Sequence, residues 1–328
     1  MRKLASIKQI TSLSPIDGAD FIEKAVVDNG WPVVVRKGEY EVGELVIYLE
    51  PDSWVPKELA PFLCKDTPKF FNGVEGERLR TIKLKGQLSQ GLIIKLELGL
   101  DLTNILGIQK WEPTSHPHMG GDTKGSFPSF VPKTDQERVQ NLYQTIFNTD
   151  KYTDSYEVTL KLDGSSITVY NYEDEVGVCS RNLDLKDSDA NVFWKTAKDL
   201  GWVEAISHLN GYAFQGELMG PKIQGNKEKF ENYNIFLFDI WDIKNQCYLT
   251  PEARKKLLEP YPHIRHAPVI HDSLVLSEYF ESIDDILLYA EGESINNSVR
   301  EGVVFKSNTT DFSFKAISNK FLLKNKDE

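Results

Sequence analysis

Between residues 112 and 132 the chain carries Pro113, Pro117, Pro128 and Pro132 interleaved with Gly120, Gly121 and Gly125. Proline lacks the amide hydrogen that a helix or central strand requires, and glycine loses the most backbone freedom on ordering, so neither element tolerates that density. The segment divides the 328 residues into two parts, each long enough to bury a core of its own. We read residues 1–110 as one domain, 111–133 as the linker and 134–328 as a second domain. His116 and His118 stand in the linker as His-x-His, with neither a cysteine nor a carboxylate pair nearby to complete a metal set.

The front domain reads as short strands separated by turns: Lys24 to Val27, Trp31 to Val35, Glu44 to Leu49, Arg78 to Leu84 and Gly91 to Glu97. Gly38, Gly43, Gly73, Gly76 and Gly86 fall between them, a spacing that predicts a small all-β barrel of the oligonucleotide-binding (OB) form. Alternation along Arg78 to Lys85 puts Lys83 and Lys85 on one face of a strand and Ile82 and Leu84 on the other, the pattern of a half-buried strand. That face is either a solvated charged surface or a strand contacting phosphates, which makes Lys83 and Lys85 candidate RNA contacts.

The net charge is −11, which argues against a protein coated with nucleic-acid contacts. The charge is uneven. Residues 1–110 hold 15 Lys and Arg against 15 Asp and Glu, leaving 23 of 38 and 34 of 49 for the remainder. Any nucleic acid must be gripped by local basic clusters, or the acidic groups must hold metal ions, and we expect both. Cys64, Cys179 and Cys247 lie far apart and read as small buried hydrophobes. With no apolar run of membrane length and no leader pattern at the start, a cytoplasmic protein without membrane association is expected.

The second domain opens at Thr134 to Glu137, which has the form of a capping box ahead of an apolar-periodic stretch through Val139, Leu142, Ile146 and Phe147. Strands follow at Tyr156 to Lys161, Ser166 to Tyr170, Tyr212 to Leu218, Asn234 to Trp241, Gly302 to Lys306 and Phe312 to Ala316. Helical patterns lie near 189–208, 250–258 and 277–291. Strands and helices are mixed without a dinucleotide-binding glycine turn, so the fold class is α+β, with antiparallel sheets enclosing a cleft.

The strongest local signal is the run EVTLKLDGSS at residues 157–166. A strand delivers Lys161, Asp163 follows two residues later on the same face, and Gly164 lets the backbone turn sharply. A lysine becomes a nucleophile when it loses its proton, and a divalent cation held by Asp163 would favour that. Lys-x-Asp-Gly alone is a weak signal, but other pieces follow in order. With them the chain resembles the covalent nucleotidyltransferase superfamily of polynucleotide ligases and RNA capping enzymes, most closely the ATP-dependent RNA ligases that seal nicks.

The resemblance implies that Lys161 carries AMP. Ser180-Arg181-Asn182 looks like the next motif, with Arg181 on the nucleotide or the RNA end. Gly216-Glu217-Leu218 implies Glu217 as the ribose reader, and the run FLFDI at 236–240 implies Phe238 stacked on adenine. The run EGVVFK at 301–306 implies Glu301 as an organiser of metal and its water, and Lys315 matches the lysine that holds the α-phosphate. Many relatives have Lys-x-Lys in this last motif; here Ile317 takes the second position, so Lys306 or Lys320 supplies the second phosphate contact or Lys315 suffices.

The implied cofactors are ATP and Mg²⁺ or Mn²⁺, the metal held by Asp163 and Glu301 through water. A barrel ahead of the catalytic domain resembles the RNA ligase group rather than DNA ligases or capping enzymes, which usually place it after. RNA is therefore the expected partner, as a nicked duplex whose 3′-OH strand ends in RNA, joined by a monomer with no evident protein partner. A DNA ligase, a GTP-using capping enzyme and a non-catalytic binder of nucleotides or RNA ends remain as alternatives.

Overall fold

The computed structural model of the protein describes residues 3–64, 67–95, 103, 106–110, 123–296 and 298–325. The expected linker residues 111–122, with His116 and His118, lie outside the described residues. The chain forms two compact units, one drawn from Met1–Thr114, Val139–Thr145 and Leu322–Glu328, the other from Ser115–Arg138 and Ile146–Phe321.

Among the described residues the front unit is all-β and OB-like. Its larger sheet runs in the order Leu92–Lys95, Leu45–Leu49, Ala5–Pro15, Ile22–Val27, Trp31–Arg36. Ala5–Pro15, which the glycine-spaced reading passed over, pairs with Leu45–Leu49 and with Ile22–Val27. Alternate residues Ala25, Val27, Val33 and Val35 pack with Trp31, Val46 and Tyr48. Trp31 Nε1 donates to Asn141 Oδ1 at 2.9 Å and Asn141 Nδ2 to Glu50 Oε1 at 2.8 Å, so residues 139–145 supply polar partners that the buried tryptophan needs.

The expected single strand from Arg78 to Leu84 is two, Val74–Arg78 and Ile82–Leu84, and the second pairs in a hairpin with Gln87–Ser89. Ile82, Lys83, Leu84 and Lys85 are all exposed, so the half-buried face inferred from alternation is absent. The hairpin forms a two-stranded sheet of its own, and neither face of Ile82–Leu84 is covered.

The second unit is α+β, as expected. One sheet runs in the order Glu137–Arg138, Ser313–Ile317, Gly302–Ser307, Ser155–Lys161, Val269–Val275. The other runs in the order Thr123–Ser126, Leu183–Leu185, Glu175–Cys179, Ser165–Tyr172, Tyr212–Met219, Asn234–Asp242, Cys247–Tyr248. Helices Val192–Asp199 and Trp202–Ser207 pack on the second sheet, burying Phe193, Trp194, Trp202 and Ile206 against Ile167, Phe214 and Leu237. The helical pattern near 189–208 is thus two helices, parted at Gly201, whose φ of 74° ends the first. The pattern near 277–291 is also two, Leu276–Tyr279 and Ile283–Tyr289, the latter opened by a capping box between Ser282 and Asp285.

The capping box expected at Thr134 to Glu137 does not form. Glu137–Arg138 is instead a short strand parallel to Ser313–Ile317, and the Thr134 hydroxyl lies 2.9 Å from that of Ser166. Partners distant in sequence have overridden the local pattern. Among the described residues no helix is long and apolar enough to cross a membrane. The cysteines are free; Cys179 is buried, while Cys64 and Cys247 are half-buried.

Candidate active site

The site grows from strand register. In antiparallel pairing, directly opposed residues share a face. Lys161 faces Gly302, Thr159 faces Val304, Glu157 faces Lys306, and Val304 faces Lys315. One face of one sheet therefore carries Glu157, Thr159, Lys161, Lys306 and Lys315, with Glu301 entering beside Lys161. On the other sheet Ser166 opposes Glu217, and Glu217 opposes Phe236. On the second sheet the residues that alternate with these, Ile167, Leu218 and Ile235, pack against the helices, and the opposite face meets the first sheet, whose Lys306 donates to the Phe238 carbonyl.

Lys161 ends its strand with Nζ 2.7 Å from Glu301 Oε1. The turn that follows brings the chain onto the second sheet, where the Gly164 amide donates to Glu217 Oε1 at 3.0 Å. Sequence reasoning assigned Gly164 a sharp turn, but the requirement is space. A Cβ there would stand 2.4 Å from the Leu218 carbonyl oxygen and 2.9 Å from Glu217 Cγ. Gly302 meets the same constraint, with the Ala316 carbonyl oxygen 2.1 Å from an added Cβ. Both glycines let backbone approach backbone beside the lysine.

Three carboxylates, Glu301, Glu217 and Asp163, act on Lys161. Burial alone lowers the lysine's pKa; the charge of Glu301, then of Glu217, the hydrogen bond to Glu301 and the charge of Asp163 outweigh it and hold the pKa above the ordinary value. Burial, then the Lys161 charge opposing it and Glu301 adding to it, leaves Glu217 pushed up to about 8. Asp163 rises to about 6, first through burial and then through Glu301, while Lys227 pulls it back. Lys227 Nζ lies 2.7 Å from Asp163 Oδ2 and 4.8 Å from the centre of the Phe321 ring. Sequence reasoning missed Lys227, since a lysine in an irregular stretch carries no periodic signal.

Lys315 joins this face with Nζ 2.7 Å from Asp135 Oδ1, and burial is the first cause that lowers its pKa to about 8. A cavity of about 600 Å³ opens beside Asp135, lined also by Lys133, Lys151, Tyr248 and Phe312. Phe236 is buried, whereas Phe238 is half-buried and lies under Lys306 Nζ, 5.4 Å from its ring centre. Of the two phenylalanines, Phe238 has surface left to offer a ligand.

Lys306 is paired within the protein. It is 5% exposed, sits 2.6 Å from Asp239 Oδ1 and donates to the Phe238 carbonyl. Burial is the main cause that depresses its pKa to about 8. Lys320 stays largely exposed, 4.0 Å from Glu291. Arg181 is exposed in the turn between Glu175–Cys179 and Leu183–Leu185. Lys83 and Lys85 belong to the front unit and are exposed on its hairpin. The structure thus brings Lys161, Asp163, Glu217 and Glu301 together, sets Lys315 and Phe238 on the facing surfaces, and leaves Lys306 occupied elsewhere.

The geometry has known counterparts. Residues 154–317 match the RNA ligase family, and residues 4–96 match an OB-fold domain. No curated protein matches the chain. Among solved structures, a substituted form of Naegleria gruberi RNA ligase with AMP and Mn is 41% identical, with a TM-score of 0.92 and 100% of both chains covered. The Naegleria gruberi RNA ligase with PPi is 41% identical over 100% of both chains, with a TM-score of 0.91. Another substituted form of the same ligase, with ATP and Mn, is 41% identical with a TM-score of 0.92, over 99% of this chain and 100% of that one. With one family spanning the catalytic strands and a relative of this identity aligned along its whole length, the chain belongs to the RNA ligase family.

Proposed function

We propose that the protein is an ATP-dependent RNA ligase whose Lys161 carries AMP between two displacement steps. The observation that supports this most is the setting of Lys161 at a strand end, with Glu301 at 2.7 Å and Glu217 and Asp163 acting on it. The lysine nitrogen, once deprotonated, attacks the α-phosphorus of ATP; an N–P bond forms, the bond to the bridging oxygen breaks, and pyrophosphate leaves. A 5′-phosphate oxygen of the RNA then displaces the lysine and takes the AMP. Attack by the RNA 3′-OH forms the phosphodiester and releases AMP.

The chain's own groups have assignable parts. Lys315 neutralises the α-phosphate, Phe238 supplies a plane for the base, and Glu217 accepts from the ribose. With Glu301 holding Lys161 as an ammonium, the lysine is a poor nucleophile until that pairing is relaxed. Glu301 Oε2 is buried without a hydrogen-bond partner, and Asp163 and Glu217 crowd the same space, so the residues fit a cation. Such a cation would be held through water. A divalent ion held by Asp163 and Glu301 would supply charge on the non-bridging oxygens and offset the carboxylates that keep Lys161 protonated.

The substrate we propose is a nicked duplex whose 3′-OH strand ends in RNA, with Lys83 and Lys85 of the exposed hairpin as backbone contacts. The test is ATP labelled at the α-phosphate, mixed with Mg²⁺ and the full chain. Label that survives denaturation on the wild type, and none on Lys161→Ala, is expected. A wild type that stays unlabelled after pyrophosphate has stripped any bound AMP overturns the covalent mechanism. For the hairpin, Lys83→Glu with Lys85→Glu should leave labelling intact and weaken nick sealing with a reduced salt dependence; unchanged sealing removes it from the RNA path.

A further inference from the structure

Behind the site lies a buried ion network that the proposed mechanism does not use. Arg254, 1% exposed, comes from helix Pro251–Leu257, and its Nη2 donates to Glu157, itself 0% exposed, on the strand that ends in Lys161. Its Nη1 donates to the Phe238 carbonyl oxygen at 3.1 Å and lies 3.9 Å from Asp239 Oδ1. Lys306 donates to the same carbonyl and pairs with Asp239. One backbone oxygen therefore accepts from two buried cations.

That oxygen belongs to an unusual residue. Between strands Tyr212–Met219 and Asn234–Asp242, Gln215 pairs with Asp239 and Gly216 with Leu237, which leaves Phe238 as the extra residue of a β-bulge. A bulge removes a residue from the regular ladder and re-aims its side chain. The neighbouring Leu237 is held by its own backbone bonds, its amide to the Arg265 carbonyl and its carbonyl to the Ala267 amide. The direction of the Phe238 ring therefore depends on what grips the Phe238 peptide. Stability alone does not require so many buried charges, since apolar replacements of a buried ion pair are often as stable.

We infer that Arg254 is a positioning residue for the nucleotide: by bridging Glu157 to the Phe238 carbonyl, it fixes the bulge and aims the Phe238 ring at the base. This rests on the reading of Phe238 as the base-stacking plane. Arg254 touches no substrate; it acts through the ring. Its planar fork spans both acceptors, which a lysine at the same position cannot do.

The experiment uses the full chain and initial rates of covalent labelling from ATP, in a cycle of Arg254→Lys, Phe238→Leu and the double variant. Phe238→Leu should raise the KM for ATP about tenfold and Arg254→Lys several-fold, each with kcat within about twofold; the double variant should be no worse than Phe238→Leu alone. Should Arg254→Lys fail to melt cooperatively, the neutral pair Glu157→Gln with Arg254→Gln, which leaves no uncompensated charge, takes its place in the cycle. Additive KM effects, or a fall in kcat at unchanged KM, overturn the positioning role while leaving Phe238 as the stacking plane. An unchanged KM in Phe238→Leu by itself instead removes the stacking reading, and the inference with it.

Discussion

Lys315 provides a test in which charge and folding move in opposite directions. Its pKa falls from the ordinary lysine value to about 8, first through burial; Asp135 opposes the fall, and Lys161 and Arg138 add to it. Arg138 is its register partner on one side and Val304 on the other, so these are the neighbouring strands that bear on it. A phosphate oxygen at this nitrogen favours the ammonium, so nucleotide binding takes up a proton once the pH exceeds about 8. Affinity should be level below that pH and fall by up to about tenfold per unit above it, roughly 1.4 kcal/mol per unit. The stability sign is the reverse. A lysine whose folded pKa lies below its unfolded one binds fewer protons when folded, so stability rises with pH between about 8 and the ordinary lysine value of 10.5. Weak binding at pH 9 is therefore not unfolding. The assay is titration calorimetry of the wild type with α,β-methylene ATP, which cannot release pyrophosphate, from pH 6.5 to about 9.5. Lys315→Arg, charged throughout this range, should bind with a nearly flat profile. Affinity in the wild type that is flat to pH 9.5, or an equal slope in Lys315→Arg, would refute the assignment of Lys315 to the α-phosphate; an equal slope would move attention to Glu217, which titrates in the same range.

Glu157→Gln leaves Arg254 charged, buried and without its carboxylate, and should cost about 3–5 kcal/mol in urea unfolding, whereas a paired Glu157→Met with Arg254→Met should recover most of it. A cost under about 1 kcal/mol for the single change would mean that Asp239 already balances Arg254. Gly164→Ala forces a methyl against the Leu218 carbonyl and Glu217, at about 1–3 kcal/mol of strain. Covalent labelling should drop about a hundredfold with the circular dichroism spectrum retained, since displacing the acceptor and the lysine by an ångström is enough; labelling near the wild-type rate would show that this turn has room to move.

What the sequence determined by itself is local. Period-2 alternation set the strands that carry Lys161, Glu217 and Phe238, and the ordered motifs named the residues that now stand around one lysine. These were legible because short-range pattern decides which face of a strand is apolar. The tertiary structure decided where each polar group's partner comes from. Strand register puts Lys306 opposite Glu157, and Asp239 from the other sheet supplies its counter-charge, neither of which the local run at 301–306 shows. Thr134 reads as a helix cap until Ser166 comes within hydrogen-bond reach of its hydroxyl. Ile82 and Leu84 read as a buried face, but their strand lies on the outer side of a two-stranded hairpin and stays exposed, while Ser89 on the other strand is buried against Val34. Arg254 reads as an ordinary helix residue, and only the fold brings it to a glutamate 97 positions away. A side chain's hydrophobicity acts through its immediate neighbours on the chain, but a buried charge must be matched by whatever opposite charge the packing delivers, and that depends on the whole topology.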